Sequence, residues 1–198
     1  MAVVRLKRPV SLPEDVAEQA LPLSISRPEI LTDGGDGDFR RLIHRMLIGQ
    51  ARLSAVREAI GERVGVSGAN YSMLMAVLRL QGGAGVSIST LADYLEVSGP
   101  YVTGVINKLS AQGFVRKAAN PKDKRGVLVK LTPAGKKRLL HAFEFIRNVN
   151  DRLFDGVGRE EFRAVGNFNA KFIRNTQATL DWIDRQPESR SRSRASDI

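Results

Sequence analysis

Between residues 87 and 138 the spacing of apolar side chains switches from helical to alternating and back, with a stop signal at every change. Ser87 and Thr90 supply hydroxyls where a helix opens, and Leu91, Ala92 and Leu95 follow at helical spacing. Val97 and Ser98 make a tight turn. Ser98 caps a second helix with Pro100 in its first turn, where proline is tolerated. Val102, Val105, Ile106 and Leu109 give that helix one apolar side, and Gly113 ends it. Two short β-prone runs, 114–118 and 127–131, then flank a polar turn over 120–126, the pattern of a β-hairpin. Thr132 before Pro133 caps the next helix. Two helices about three residues apart, followed at once by a hairpin, leave few folds open. The pattern predicts a mainly α winged helix-turn-helix whose wing is a small β-hairpin.

The flanks are helical. Asp38 reads as an N-cap, and Phe39, Leu42, Ile43, Met46, Leu47, Gln50, Leu53, Val56 and Ile60 recur at i, i+3, i+4 spacing in a long helix ending near Gly65. Ser67 opens a second helix carrying Tyr71, Leu74, Met75, Val77 and Leu78, stopped by Gly82 and Gly83. Val86 to Ile88 is short and β-prone. After the hairpin, Leu139, Phe143, Ile146, Val149 and Leu153 read as one helix reaching Asp155 and Gly156. A last helix runs from about Arg159 to Ile183 with Phe162, Val165, Phe168, Phe172 and Ile183 on one side. Long helices with such stripes, over residues 38–66 and 139–185 on either side of the 67–138 domain, need a surface to bury them, either within one monomer or as dimerisation helices against a second copy. Residues 1–37 hold Pro9, Pro13, Pro22 and Pro28 and end in a glycine-rich run, which predicts a partly disordered arm with a short helix near 13–20 and a flexible joint. Residues 186–198 read as a disordered basic tail.

Charge assigns the kind of partner. The 198-residue chain carries a net +10, and residues 98–138 alone hold ten basic side chains against Asp123. A basic block inside a foldable segment is the footprint of a polyanion binder. The outward positions on the second helix of the pair are Tyr101, Thr103, Gly104, Asn107 and Lys108, beside Ser98, Gly99 and Pro100 at its start. Such groups reach phosphates and base edges from a major groove. The hairpin tip adds Lys122, Asp123, Lys124 and Arg125. Arg125 suits a minor groove, where narrow A·T tracts concentrate negative potential, with Asp123 holding it extended.

These residues resemble the multiple antibiotic resistance regulator (MarR) family over residues 87–137. The matching positions are Leu91, Ala92, Val97, Ser98, Val102, Thr103, Leu109, the run Gly113, Phe114, Val115, Arg116, the run Pro121, Lys122, Asp123, Lys124, Arg125, and the run Leu131, Thr132, Pro133, Ala134, Gly135. The resemblance implies a homodimer whose first and last helices interlock, bound to a pseudo-palindromic double-stranded operator, with Asp123 and Arg125 at the wing. Two departures stand out: Gly104 lies where many relatives carry a base-reading arginine, and the arm is longer than usual. The resemblance also implies a small-molecule effector, often an aromatic acid, that releases DNA and relieves repression. His44, Arg45, Arg52, Tyr71 and Met75 are the candidates to line its pocket.

Other chemistries find little support. There is no cysteine, which excludes disulfides and thiolate metal sites and fits a cytoplasmic location. The start of the chain lacks the apolar block of a secretory signal, and no run of about 18 apolar residues suggests a membrane span. His44 and His141 are isolated, and no nucleophile elbow, P-loop or dinucleotide fingerprint occurs, so neither a metal, a cofactor nor an enzyme activity is expected. A nonspecific architectural DNA binder and a winged-helix protein-interaction module remain as alternatives.

Overall fold

The computed structural model describes residues 21–120 and 123–186, with 123–125 described by backbone alone. The helix expected near 13–20, Lys122 and the basic tail lie outside the described residues. Within them the order is a 3-10 turn (Pro28–Ile30), α1 (Gly37–Val64), α2 (Gly68–Leu80), β1 (Val86–Ser87), α3 (Ile88–Leu95), α4 (Gly99–Ala111), β2 (Val115–Asn120), β3 (Asp123–Leu131), α5 (Pro133–His141), α6 (Phe143–Leu153) and α7 (Arg159–Asp184). The chain divides into two compact units, 1–146 and 147–198.

The segment before α1 is more ordered than its composition suggests. Asp33 (φ 50°) and Gly34 (φ 77°) occupy the centre of a two-residue turn closed by Thr32 N to Gly35 O, 3.0 Å, and Gly35 N to Thr32 O, 2.9 Å. Two successive positive φ values are what an Asp-Gly pair supplies in a type I′ turn, so the expected flexible joint is a hydrogen-bonded reversal. Helix α1 therefore starts before Asp38, at Gly37, with Asp36 in the N-cap position. Asp36 does not cap. It is buried and accepts from the amide of Ser24 at 2.6 Å, from the Ser24 hydroxyl and from Arg40 Nε at 2.9 Å, while Arg40 also donates to the carbonyl of Pro22. These donors hold its carboxyl well below the usual carboxylate range. Asp38 sits in the first turn, accepting from Thr32 and Arg41, and is lowered too.

Helices α1 and α2 meet through glycines. A Cβ on Gly61 would lie 2.7 Å from the Ser67 carbonyl carbon, and one on Gly68 would lie 2.8 Å from the Glu58 nitrogen. That approach lets Glu58 Oε2 accept from the free Gly68 amide at 2.7 Å, beside the Ser67 cap on Asn70 N. The core lies where α2, α3, α4, the sheet and α5 converge. Leu74, Leu91, Ile106, Leu109, Phe114, Val129 and Leu139 are fully buried there. The sheet is antiparallel in the order β1-β3-β2, so β1 turns the expected hairpin into three strands. Strand β3 also begins earlier than expected: Asn120 pairs with Asp123, placing the charged residues 123–125 on the strand. Backbone pairing makes no demand on side-chain polarity, which is why charge alone suggested a loop.

The helix expected from Pro133 to Leu153 is two. At Ala142 the N–H bonds to Leu139 O at 3.1 Å, an i→i−3 turn that separates α5 from α6. Ala142 stays near helical torsions (φ −85°, ψ −7°), so the apolar period runs through the break undisturbed. In the second unit the chain reverses through Gly156 (φ 76°), with Phe154 and Phe162 edge to face at 5.8 Å across the turn. Helix α7 buries no residue: Phe162, Val165, Phe168, Ile173, Leu180 and Trp182 are all exposed.

Candidate nucleic-acid interface

The α3–α4 pair is built from local chemistry. Ser87 Oγ accepts from Thr90 N at 3.0 Å to open α3. Helix α3 closes with Glu96 in the left-handed region (φ 53°) and Val97 N bonded to Ala92 O at 3.0 Å, the 6→1 bond of a Schellman motif. A non-glycine residue there costs roughly 1 kcal/mol, offset by the satisfied carbonyls at the helix end. Ser98 then caps α4, accepting from Tyr101 N at 3.3 Å. Three residues thus redirect the chain between two short helices.

Helix α4 divides as its period requires. Val102, Val105, Ile106 and Leu109 are buried, whereas Ser98, Pro100, Tyr101, Thr103, Gly104, Asn107 and Lys108 are exposed and Gly99 is partly so. Thr103 turns its hydroxyl back to Gly99 O at 3.0 Å. A Cβ on Gly104 would meet nothing within 4 Å, so packing does not require glycine there. Next to this face, β2 exposes Arg116 and Lys117, and Lys117 Nζ donates to Asn107 Oδ1. Among the described residues, Lys108, Arg116 and Lys117 have no carboxylate within ion-pair distance; the pairs found, Asp36–Arg40 and Asp38–Arg41, lie at the start of α1. The result is a solvent-facing helix flanked by uncompensated cations. Of the wing residues, Asp123, Lys124 and Arg125 are placed on β3 by backbone, and Lys122 lies outside the described residues.

The wing is braced from both ends. Gln81 Oε1 accepts from Leu131 N at 2.8 Å, and Lys130 Nζ donates to Gly83 O at 2.6 Å, tying β3 to the end of α2. On the other side Thr132 acts three times. Its hydroxyl donates to Gly113 O at 2.6 Å and accepts from Gly135 N at 2.8 Å, and its amide donates to Phe114 O at 3.0 Å. Gly135 is required by closeness: its Cβ would fall 2.1 Å from Phe114 O. Arg138 stacks over the Phe114 ring, 4.0 Å from its centroid. This seam, invisible in the sequence pattern, fixes where the wing leaves the end of α4.

The five candidate effector residues lie on α1 and α2. His44 and Arg45 are exposed on α1, Arg52 and Met75 are half-buried, and Tyr71 is buried, which pushes its phenol up. Arg57 donates to Ser72, next to Tyr71, so Arg45, twelve residues back along α1, is about 18 Å from that level of the helix. An open depression of about 530 Å³ lies instead on α5, lined by Lys137, Arg138 and His141. Among the described residues no group of three histidine or acidic side chains is placed to hold a metal, and no helix is long and apolar enough to cross a membrane.

Comparison with known proteins agrees with this architecture. Residues 64–126 match the model of the MarR family. The chain is 28% identical over 79 residues to an uncharacterized HTH-type transcriptional regulator, YdcH, of Bacillus subtilis, covering 40% of this chain and 54% of that protein. It is 23% identical over 156 residues to the transcriptional activatory protein BadR of Rhodopseudomonas palustris, covering 77% and 83%. Among solved structures, a mutant MarR from E. coli complexed with operator DNA superposes with a TM-score of 0.55 at 23% identity, over 69% of this chain and 94% of that one. BpsR of Bordetella bronchiseptica, whose DNA binding is regulated by 6-hydroxynicotinic acid, gives 0.56 at 22% identity, over 67% and 98%. Residues 64–126 are thus similar to the MarR family, and the fold is that of its winged helix-turn-helix structures, with α3 and α4 as the helix pair and β2 and β3 as the wing.

Proposed function

We propose that this protein is a homodimeric transcription regulator that binds a pseudo-palindromic double-stranded operator sequence-specifically, with α4 in the major groove and the wing, 119–127, in the minor groove. The observation that carries the reading is the exposed face of α4 beside Lys108, Arg116 and Lys117, none of them paired with a carboxylate among the described residues. That the E. coli MarR, which shares the fold, is complexed with operator DNA supports a DNA partner here. The apolar stripe of α7, exposed along its length, supports the dimer; two copies would meet successive half-sites about one helical turn apart. Repression relieved by a small aromatic acid is the regulatory reading, supported by the behaviour of BpsR.

Fluorescence anisotropy against DNA from upstream of the protein's own gene and against scrambled DNA, across salt, tests this. A preference of about 10³ or more for the upstream fragment, weakening as salt rises, is expected. Arg125→Ala should lower affinity and reduce the salt slope by about 1. Equal binding to both fragments would favour an architectural role, and no binding at low salt would favour a protein-interaction module. A panel of aromatic carboxylates should raise the melting temperature and weaken DNA binding; no effect from any of them rejects the effector.

A further inference from the structure

We infer that Lys117 is a positioning residue that fixes the amide of Asn107, so that the pair selects guanine and rejects adenine at one operator position. This rests on the reading of α4 as the major-groove helix. An asparagine side chain can present either its oxygen or its nitrogen to a base, and free rotation lets it do both. Here that freedom is gone. Lys117 Nζ donates to Asn107 Oδ1, and an ammonium has three donors and no acceptor, so only the oxygen can face it. Both anchors are rigid: Asn107 stands on α4 between the buried Ile106 and Leu109, and Lys117 is paired with Val129 in the β2–β3 ladder.

The consequence is a difference in base chemistry. Adenine offers an acceptor at N7 and a donor at N6, so an asparagine that reads it must donate and accept together. Oδ1 keeps a second lone pair, but with one taken by Lys117 and its positive charge alongside, the adenine N6 donor is brought against an ammonium. Guanine offers two acceptors, N7 and O6. The Asn107 Nδ2 hydrogens and the remaining Lys117 N–H groups form a donor-only face that matches them. Because Lys117 lies outside the helix that reads bases, the outward positions of α4 taken alone give no sign of it.

The test is selection from a randomised duplex pool by the full-length protein, followed by anisotropy on single-base variants of the selected sequence. Asn107→Ala locates the position, since base preference should vanish there and persist elsewhere. At that position the wild type should prefer guanine over adenine by at least about fivefold, the lower end of a bidentate contact. K117M should move the ratio toward adenine by a similar factor, and K117R should keep guanine, because a guanidinium also only donates. Both side chains are exposed, and unchanged thermal unfolding checks that each variant is folded. An adenine preference in the wild type overturns the inference, as does a guanine preference unchanged in K117M or no effect of Asn107→Ala. If the wild type enriches no sequence, the operator-binding reading fails instead.

Discussion

The two units of the chain treat their apolar residues in opposite ways. In the first, Leu74, Leu91, Ile106, Leu109, Phe114 and Leu139 lose all contact with solvent, drawn from four helices and the residue just before β2. In the second, Phe162, Val165, Phe168, Ile173, Leu180 and Trp182 stay between 43% and 60% exposed along a 26-residue helix. Composition does not separate them; partners do. A helix in water gains little from propensity alone and depends on burying its apolar side chains, which α7 does not do within its own unit. The winged helix buries its core within its own unit, whereas α7 leaves its apolar side chains exposed, and we propose that a second copy of the chain covers them.

The sharpest way to break the first unit is at its tightest point. Gly135→Ala places a methyl group 2.1 Å from the Phe114 carbonyl oxygen, which the seam through Thr132 prevents from moving away. A loss of about 3 kcal/mol or more is expected by denaturant unfolding, and it should not depend on protein concentration. A loss below about 1 kcal/mol would mean that α5 shifts freely against Phe114. The corresponding attack on the second unit is Phe168→Asp. Phe168 stacks with Phe172 at 5.6 Å on the exposed stripe, so a carboxylate there should leave the winged helix folded and weaken self-association by about 100-fold in sedimentation equilibrium. If that variant associates as the wild type does, the stripe is not the dimer surface.

The start of α1 lies between these extremes, ordered by polar contacts with little burial, and it titrates. Asp36→Asn keeps an acceptor for Ser24 but removes the charge held by Arg40. Because the native carboxyl is depressed, its contribution is fully present above the ordinary unfolded value near pH 4 and is lost as the pH falls from there toward the depressed native value. The stability difference between wild type and Asp36→Asn should therefore be constant from about pH 5 to pH 8 and shrink below about pH 4. Denaturation curves at pH 7 and pH 3 compare the two. A difference that instead grows in acid would exclude the charged form as the stabilising one.

What was legible in the sequence was whatever the chain settles locally. Ser67, Ser87, Ser98 and Thr132 each cap the helix expected of them, because a cap needs only a hydroxyl and an amide three residues on. The buried stripe of α4 followed from its period, and the exposed reading face from its complement. The failures share a cause, which is distance along the chain. Asp38 looked like the cap of α1 because the true role of Asp36 depends on Ser24, twelve residues earlier. The Lys117–Asn107 bond, the Thr132 seam and the pairing of β1 with β3 all join segments the pattern treats separately. The end of α3 at Leu95 was legible from the turn at Val97 and Ser98, but not its left-handed closing residue, since Glu96 holds the position that glycine would announce.

Two glycines bring the comparison to its smallest scale and its clearest sign. Gly135 has no room for a methyl group, whereas Gly104, mid-helix on the exposed face of α4, has nothing within 4 Å. Glycine in a helix interior costs roughly 1 kcal/mol against alanine, through backbone entropy in the unfolded chain. Gly104→Ala should therefore stabilise the protein by about 0.5–1 kcal/mol in the same unfolding experiment in which Gly135→Ala destabilises it. If the stability rises while affinity for the selected duplex falls, the missing side chain serves close approach to DNA, and the helix tolerates its cost for that contact. If both rise together, Gly104 has no part in the interface, and the reading face narrows to Tyr101, Thr103, Asn107 and Lys108.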